Sequence, residues 1–405
     1  MWRVIEAGAR VLLVMVEAVV LAPLLYLALL SVGALLQARR RSVARRAPTL
    51  DQLPTFALLI PAHDESAVIA GALASVSALD YPPQNRAVFV VADNCTDDTA
   101  AIARSANATV YERHAPDERA KGYALRWLLE RLRDDHLTFD AYVILDADSH
   151  LSANFLREMA ASLAGGAQVA QAQYRVRNED GSWLAGLRAV AFALFNHLRP
   201  LGRARFGWSA GLKGNGMCFS RAVIERYGWE AYSLAEDAEF HIRLLKAGIR
   251  VAYAPAAIVA AEMPVSLQQA RSQQARWERG RLELTRLAAR ELAPGILHKG
   301  GAARLDALVE VALPPLSLLV GLVAVCILCA ALLASPLTLG LAAAMMLALG
   351  LHVLVGAGLA RLSMRAYLSL WRAPLYIVWK CWVYTVALVG RGATGWVRTE
   401  RVGGE

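Results

Sequence analysis

Charge is scarce in this chain. Of 405 residues only 19% are Asp, Glu, Lys or Arg while 57% are hydrophobic, and the mean hydropathy is +0.37. That balance excludes a disordered chain and is too apolar for an ordinary soluble globule. Cysteine is scarce as well, and five in 405 residues exclude a disulfide scaffold. Cys326 and Cys329 have a CxxC spacing, but they sit inside an apolar run where neither a zinc ribbon nor a soluble redox motif fits, so five free thiols are expected. Glycine follows no collagen period, and no internal repeat or low-complexity tract occurs. Acidic residues are outnumbered 34 to 43, for a formal charge of +9. The arginines cluster beside apolar runs and no aromatic-basic recognition motif accompanies them. The surplus therefore points to a membrane surface and anionic phosphate substrates, with no nucleic acid partner.

What abounds is apolar sequence, and it lies at the two ends. Val11 to Leu36 is interrupted only by Glu17, and it exceeds the roughly 20 residues needed to cross a hydrocarbon core. No small-residue cleavage site follows. Arg39, Arg40, Arg41, Arg45 and Arg46 do, which predicts a span over 1–38 and a basic juxtamembrane linker over 39–54 on the cytoplasmic side. Val311 to Ala334 and Leu337 to Ala360 are two further stretches over 311–360, separated by Ser335 and Pro336 as in a tight hairpin. Arg361 and Arg365 then mark a return to the cytoplasm. Over 361–405 an interfacial helix and a basic tail are expected, because Arg365, Arg372, Lys380 and Arg391 share one helical arc. Trp371, Trp379, Trp382 and Trp396 suit the headgroup level. A fourth span would put Arg391, Arg398 and Arg401 outside.

Between these ends, short unalternating apolar runs alternate with helical stretches. Phe56 to Ile60 precedes a helix over Ser66 to Leu79, Ala87 to Ala92 precedes Thr99 to Ala106, and Ala141 to Leu145 precedes Asn154 to Leu163. The pattern predicts an α/β, doubly wound, Rossmann-like domain over 55–262 with a parallel sheet buried on both faces. Ligands of such sheets bind beyond the carboxyl ends of the strands. There the sequence has Pro61-Ala62-His63-Asp64-Glu65, Asp93 to Asp98, and Asp146-Ala147-Asp148.

Asp146 and Asp148 are two apart, so in an extended segment they point the same way and offer oxygens to a divalent cation, Mg2+ or Mn2+. Taken alone they could equally end a strand. Asp93 could accept a hydrogen bond from a uracil N–H or a ribose hydroxyl, or it could open the next helix as an Asx turn, a task Asp97 could do equally well. Ser233 and Glu236 have the spacing of a capping box before a helix that runs to Lys246 or Ala247, with Gly248 as its C-cap. Asp237 is then left without a structural task, and the helix dipole would keep it ionised as a general base. Over 263–310, interfacial helices carry Gln273, Arg276 and Trp277 at i, i+3 and i+4, with Gln269 on the same stripe. Packing alone could explain this face, but an amide, a guanidinium and an indole also make a sugar-phosphate clamp.

The ordered set of motifs resembles the membrane-bound family 2 glycosyltransferases, the group of cellulose, hyaluronan, chitin and poly-N-acetylglucosamine synthases and ceramide glucosyltransferases. It comprises Pro61 to Glu65, Asp93, Asp146-Ala147-Asp148, Gly214-Asn215-Gly216-Met217, Glu236-Asp237 and Gln273-Gln274-Ala275-Arg276-Trp277. The resemblance implies a GT-A fold, a UDP-linked sugar donor, inversion at the anomeric carbon, and a catalytic domain on the cytosolic face of a bacterial inner membrane. It further implies Asp237 as base and Asp148 with Asp146 as metal ligands. Pro61, Ala62, Glu65, Asp93, Lys121, Asp146, Glu236, Gln273, Arg276 and Trp277 would contact substrate. Trp396 to Arg401 is similar to a C-terminal motif of some members. The acceptor would be a growing glycan or a lipid, and a homo-oligomer or secretion partner would be compatible. Two departures stand out: Ala235 precedes Glu236 where many members have threonine, and three spans are fewer than polymer-secreting synthases use. Competing readings are nucleotidyl or phosphoryl transfer, which explains neither Asp237 nor the Gln273 face, and a non-catalytic accessory subunit.

Overall fold

The structure, a computed structural model, describes residues 2–43, 53–233, 235–298 and 300–389. Arg45, Arg46, Arg391, and the motif from Trp396 to Arg401 lie outside the described residues. The chain opens with helix α1 (Trp2–Val43), which carries on past residue 38 because Arg39 to Arg41 are good helix formers. The central part runs β1 (Phe56–Ala62), α2 (Ile69–Ser77), β2 (Arg86–Asp93), α3 (Thr99–Ser105), β3 (Thr109–Arg113), α4 (Lys121–Asp134) and β4 (Ala141–Ile144). It continues through β5 (His150–Leu151), α5 (Phe155–Ala164), β6 (Val169–Val176), α6 (Trp183–Phe192), a π-helical turn (Ala193–Leu198) and α7 (Arg199–Arg205). Then follow β7 (Met217–Ser220), α8 (Arg221–Tyr227), α9 (Glu236–Lys246) and β8 (Val251–Ala261).

The eight strands form one sheet in the order β3-β2-β1-β4-β7-β6-β8-β5. The first four are parallel, as expected. The rest are not: β7 runs antiparallel to both β4 and β6, and β5 antiparallel to β8, so the sheet is mixed. The α6–α7 segment that joins β6 to β7 packs against α1 and α13 and returns in the opposite sense, which makes β7 antiparallel to β6. Alternation along β1 sets the two cores. Phe56, Leu58 and Ile60 pack with α2 and α5, whereas Ala57 and Leu59 pack with α4 and, through Phe219, Trp229 and Phe240, with α9. Pro61 is tolerated because β4 pairs β1 only from Phe56 to Leu59, so its missing N–H costs no bond on that side.

Beyond the sheet lie α10 (Leu267–Leu292), α11 (Gly301–Ala312), α12 (Leu316–Leu332), α13 (Pro336–Ala360), α14 (Met364–Ser369) and α15 (Ala373–Val389). Two helical stretches, Val4–Arg40 and Pro336–Ala360, are long and apolar enough to cross a membrane. The α11–α12 pair makes a third if counted as one span, but it is bent by 70°. The expected run from Val311 is therefore broken, because Pro314 and Pro315 cannot continue a helix and drive Leu313 to extended ψ. The hairpin at Ser335–Pro336 forms, with Ser335 as N-cap and Pro336 in the first turn. Helix α15 packs on α10 and α12, and Trp371 just before it is 88% exposed.

A buried ionic cluster joins the two parts. Arg203 of α7 binds Asp306 (3.0 Å) and Glu310 (2.5 Å) of α11 and the hydroxyl of Tyr26 in α1 (2.9 Å), and Arg199 binds Glu310 (3.3 Å). The Tyr26 hydroxyl in turn donates to Asp306 at 2.8 Å. Close approach makes this possible, since a Cβ at Gly202 would lie 2.4 Å from the Leu30 carbonyl oxygen. Segment 183–205, read from sequence as part of a soluble domain, thus packs directly on the long apolar helices.

Candidate active site

Beyond β2 and β4, at the carboxyl rim of the parallel strands, two loops are built by their own aspartates. Asp64 (φ 54°) accepts from the Thr96 N–H at 2.7 Å, and Asp97 accepts from the N–H groups of Thr99 (3.0 Å) and Ser66 (3.1 Å). Asp97 therefore supplies the Asx turn, which leaves Asp93 free of that duty. These loops bring Asp64, Cys95 and Asp97 within 4.8 Å of one another. Their carboxylates already serve the loop, and burial pushes the Cys95 thiol up to about 11, so the group is not suited to a hard cation. The four cysteines 95, 218, 326 and 329 are all free.

Asp93 ends β2 at 1% exposure. One carboxylate oxygen accepts from Arg113 at 2.7 Å, and Arg113 also binds Glu118 at 2.5 Å. The other, Oδ2, is buried with no hydrogen-bond partner among the described residues. Burial raises the pKa of Asp93 and Arg113 opposes the rise. A buried acceptor left open at a strand end suits a ligand N–H or O–H. Neighbouring Pro61 and Ala62 are buried in β1, and the Glu65 N–H is bound to Thr99 Oγ1 at 2.8 Å.

The second part of the rim gathers around Lys121, the first residue of α4. Its ammonium donates to Asp146 Oδ1 and to the Gly214 carbonyl, each at 2.5 Å, and lies 3.9 Å from Glu236. Asp237 packs against the same loop, its Oδ2 3.5 Å from where a Cβ on Gly214 would stand. Residues from β4, the 213–216 loop and the start of α9 thus meet at one point. Asp146 and Asp148 differ from expectation in one respect: the Ser149 N–H bonds the Asp146 carbonyl (3.1 Å), so a turn, not an extended segment, separates them, and both remain half-buried.

The 213–216 loop is locked from beneath. Asn215, fully buried, accepts through Oδ1 from the Asp146 N–H (3.2 Å) and from Ser149 Oγ (3.0 Å). Gln171 of β6 donates to the Asn215 carbonyl (2.8 Å) and accepts from the Lys213 N–H (2.9 Å). Gly216 has φ +67°, and a Cβ there would stand 2.6 Å from Val259 and 2.9 Å from Ala172, so glycine is required twice over. Gln171 was missed in the sequence, although a glutamine between alanines in a fully buried strand was its signal.

Helix α9 begins two residues later than a Ser233 cap requires. Its N-cap is Ala235, and Glu239, not Glu236, reaches back to the N–H groups of Tyr232 (3.2 Å) and Ser233 (3.1 Å). The capping box expected from Ser233 and Glu236 does not form, because Glu236 turns inward to Lys121. The other end is as expected: Gly248 has φ +80° and Ile249 closes onto Leu244 at 2.8 Å. Burial raises the pKa of Asp237 despite the Ala238 N–H and Lys121, and it pushes Glu236 up to about 7. Asp237 stands in the first turn of α9, as expected, and burial there raises its pKa against the pull of the helix dipole. For Lys121, burial opposes the charge, but Asp146 and Glu236 raise its pKa.

Gln273 lies on α10, where its Oε1 accepts from the buried Arg188 of α6 at 2.5 Å. Gln269 accepts from the Val265 N–H at 3.3 Å, near the Ser266 N-cap. Arg276 and Trp277 are in the same helix, and their side chains lie outside the described residues.

Residues 54–280 match the model of a family described as "Glycosyltransferase like family 2". The chain is 25% identical over 239 residues to "Probable glycosyltransferase YdaM" of Bacillus subtilis, covering 55% of this chain and 54% of the relative. It is 27% identical over 201 residues to the beta-monoglucosyldiacylglycerol synthase of Synechocystis sp. (47% and 40%). It is 24% identical over 236 residues to an N-acetylglucosaminyltransferase of Mesorhizobium japonicum (54% and 54%). The chain spans about half the length of the curated relatives it matches. Among solved structures it is similar to the mannosyltransferase PcManGT from Pyrobaculum calidifontis, in complex with GDP-Man and Mn2+, with a TM-score of 0.49 at 18% identity over 92% of this chain and 99% of that one.

Proposed function

Since the chain belongs to the family-2-like glycosyltransferases, we propose that it is an inverting membrane enzyme that moves a sugar from a nucleotide-diphosphate donor, UDP-linked, to a glycan or lipid acceptor. The observation that carries this reading is the meeting of Asp146, Lys121, Gly214, Glu236 and Asp237 at one point of the rim, from segments more than a hundred residues apart. Asp93, on β2 two strands over from β4, offers its open Oδ2 to the base of the nucleotide. Lys121 serves the diphosphate, and Gln273, Arg276 and Trp277 of α10 would serve the pyrophosphate and acceptor as the family resemblance implies. Asp237, its pKa raised by burial, takes the proton of an acceptor hydroxyl whose oxygen attacks the anomeric carbon opposite the phosphate. An α-linked donor then gives a β-linked product.

The oxygens of Asp148 and Asp146 fit a hard divalent cation, Mg2+ or Mn2+, which when bound neutralises charge on the departing diphosphate. Lys121 already neutralises one oxygen of Asp146, so the chain meets part of that charge itself. The reading extends to a location in a bacterial inner membrane with the rim on the cytosolic side. Incubating the purified protein with a panel of UDP-sugars and a divalent cation tests it: UDP release and a mass-identified glycosylated product are expected. Transfer of a nucleotidyl group, or no UDP release from any donor with or without lipid extract, would refute it.

A further inference from the structure

The other cations described so far each have a polar acceptor against them: Lys121 has Asp146, Arg113 has Asp93, Arg199 has Glu310, Arg203 has Asp306, and Arg188 has the Gln273 amide oxygen. Lys213 is different. Among the described residues no carboxylate lies within 4 Å of its ammonium, which sits 3.4 Å from the centroid of the Phe195 ring. The backbone is not free to relieve this, because the Lys213 N–H is held by the buried Gln171. A partly buried ammonium without a counter-ion is costly, and a ring face offsets only part of the cost. The ring that supports it is itself 45% exposed, so the pair opens outward.

Its depth follows from packing. The π-helical turn that carries Phe195 rests on α13, where a Cβ at Gly356 would lie 2.4 Å from Leu194. Helix α7 rests on Leu30 of α1. Gly356 stands five residues, about 7 Å, before Arg361, and Leu30 nine residues, about 14 Å, before Arg39. The turn therefore sits where the apolar helices give way to arginine, the level of lipid headgroups. On its inner side, Lys213 precedes the glycine against which Asp237 packs.

We infer that Lys213 and Phe195 form the acceptor side of the transfer site and receive the phosphate-bearing headgroup of a membrane lipid. The inference rests on the transferase reading above. A headgroup phosphate meets the unpaired ammonium while a hydroxyl of the same headgroup reaches Asp237. The charged groups around Lys213 are Glu310 on α11, Arg199 and Arg203 on α7, and Asp237 on α9. His241 of α9 is held neutral by burial, with its pKa lowered to about 3. Burial pushes Lys213 down to about 7, against Glu310 and Asp237, so an arriving anion restores its charge near neutrality.

The test uses the full chain in phosphatidylcholine vesicles doped with phosphatidylglycerol, with a polyprenyl phosphate, or with diacylglycerol, and the donor identified by UDP release. Transfer to phosphatidylglycerol, which carries both the phosphate and a headgroup hydroxyl, is expected; transfer to the polyprenyl phosphate alone, whose nucleophile is a phosphate oxygen, overturns the inference. Lys213→Met should raise the acceptor KM by about tenfold or more while the UDP dissociation constant stays the same, and Lys213→Arg should restore most of it. The wild-type acceptor KM should rise as pH increases through about 7, and that of Lys213→Arg should not. Use of diacylglycerol by the wild type as efficiently as of the phosphate-bearing lipids, or an acceptor KM unmoved by Lys213→Met, overturns the inference and leaves the transferase reading standing. Absence of UDP release from the wild type overturns both.

Discussion

Arg203 beside the long apolar helices and Lys121 at the sheet rim are each a buried cation among acidic groups, and they are surrounded differently. Arg203 has Tyr26, Asp306 and Glu310, and with Arg199 the cluster has two guanidiniums for two carboxylates, joined across three helices. Lys121 alone faces Asp146, Glu236 and Asp237, two of which are held less acidic than usual by burial. The first network is balanced in charge, although Arg199 Nε and Glu310 Oε2 make no hydrogen bond among the described residues, and it works as mortar between α1, α7 and α11. The second is short of positive charge, and that shortage is what a cation, a diphosphate-bearing donor and an acceptor proton can settle.

Removing parts from each should expose the contrast. The largest effect is expected at the rim: Asp237→Asn should lower kcat by about 10²- to 10⁴-fold with donor affinity retained, measured by UDP release and UDP binding. Beside the apolar helices the loss should appear in stability, since Arg203→Met leaves two buried carboxylates short of their partner; about 3–5 kcal/mol is expected from unfolding in detergent. If Arg203→Met instead spared stability and abolished turnover, the division into mortar and chemistry would be wrong. Gly216→Ala, which forces a Cβ into Val259 at a positive φ, should cost about 1–3 kcal/mol and weaken turnover through the loop that Asn215 anchors to Asp146.

The smallest effect is a slope with pH. Glu236 folds with its pKa raised to about 7, so between the ordinary carboxyl range and about 7 the folded chain keeps a proton that the unfolded chain has lost. Stability should therefore fall as pH rises through that window, and Glu236→Gln should flatten the fall, as read from melting temperatures at about pH 5 and pH 8.

The donor half was the more legible in sequence. Strands β1, β2 and β4 and the helices after them announce themselves as short apolar runs followed by helical periods, and their aspartates fall at strand exits where a parallel sheet puts its ligands. The carboxylates named from order alone, Asp146, Glu236 and Asp237, do meet. What could not be read depends on pairings between distant segments. Nothing local to Leu212-Lys213-Gly214 tells that the ammonium ends on Phe195, and nothing in the π-helical turn tells that it packs on α13. The antiparallel β7 escaped for the same reason: a buried four-residue strand has no periodicity that reveals its direction. The capping box failed because local spacing was outbid by a buried lysine, and Glu239 took the role three residues on.

The bend at Leu313–Pro315 has a mechanical consequence. Helix α12 has 17 residues and its neighbour α13 has 25, about 26 Å and 38 Å of helix, so in the membrane placement proposed above the two would not match one bilayer upright and would differ in tilt. The knee lies between α12 and the arm α11, whose Asp306 and Glu310 are clasped by α7. On the membrane reading proposed above, swings of α12 would be taken up at the two prolines while the arm stays level, which predicts turnover that varies little between thin and thick membranes and a tilt of α12 that varies a good deal.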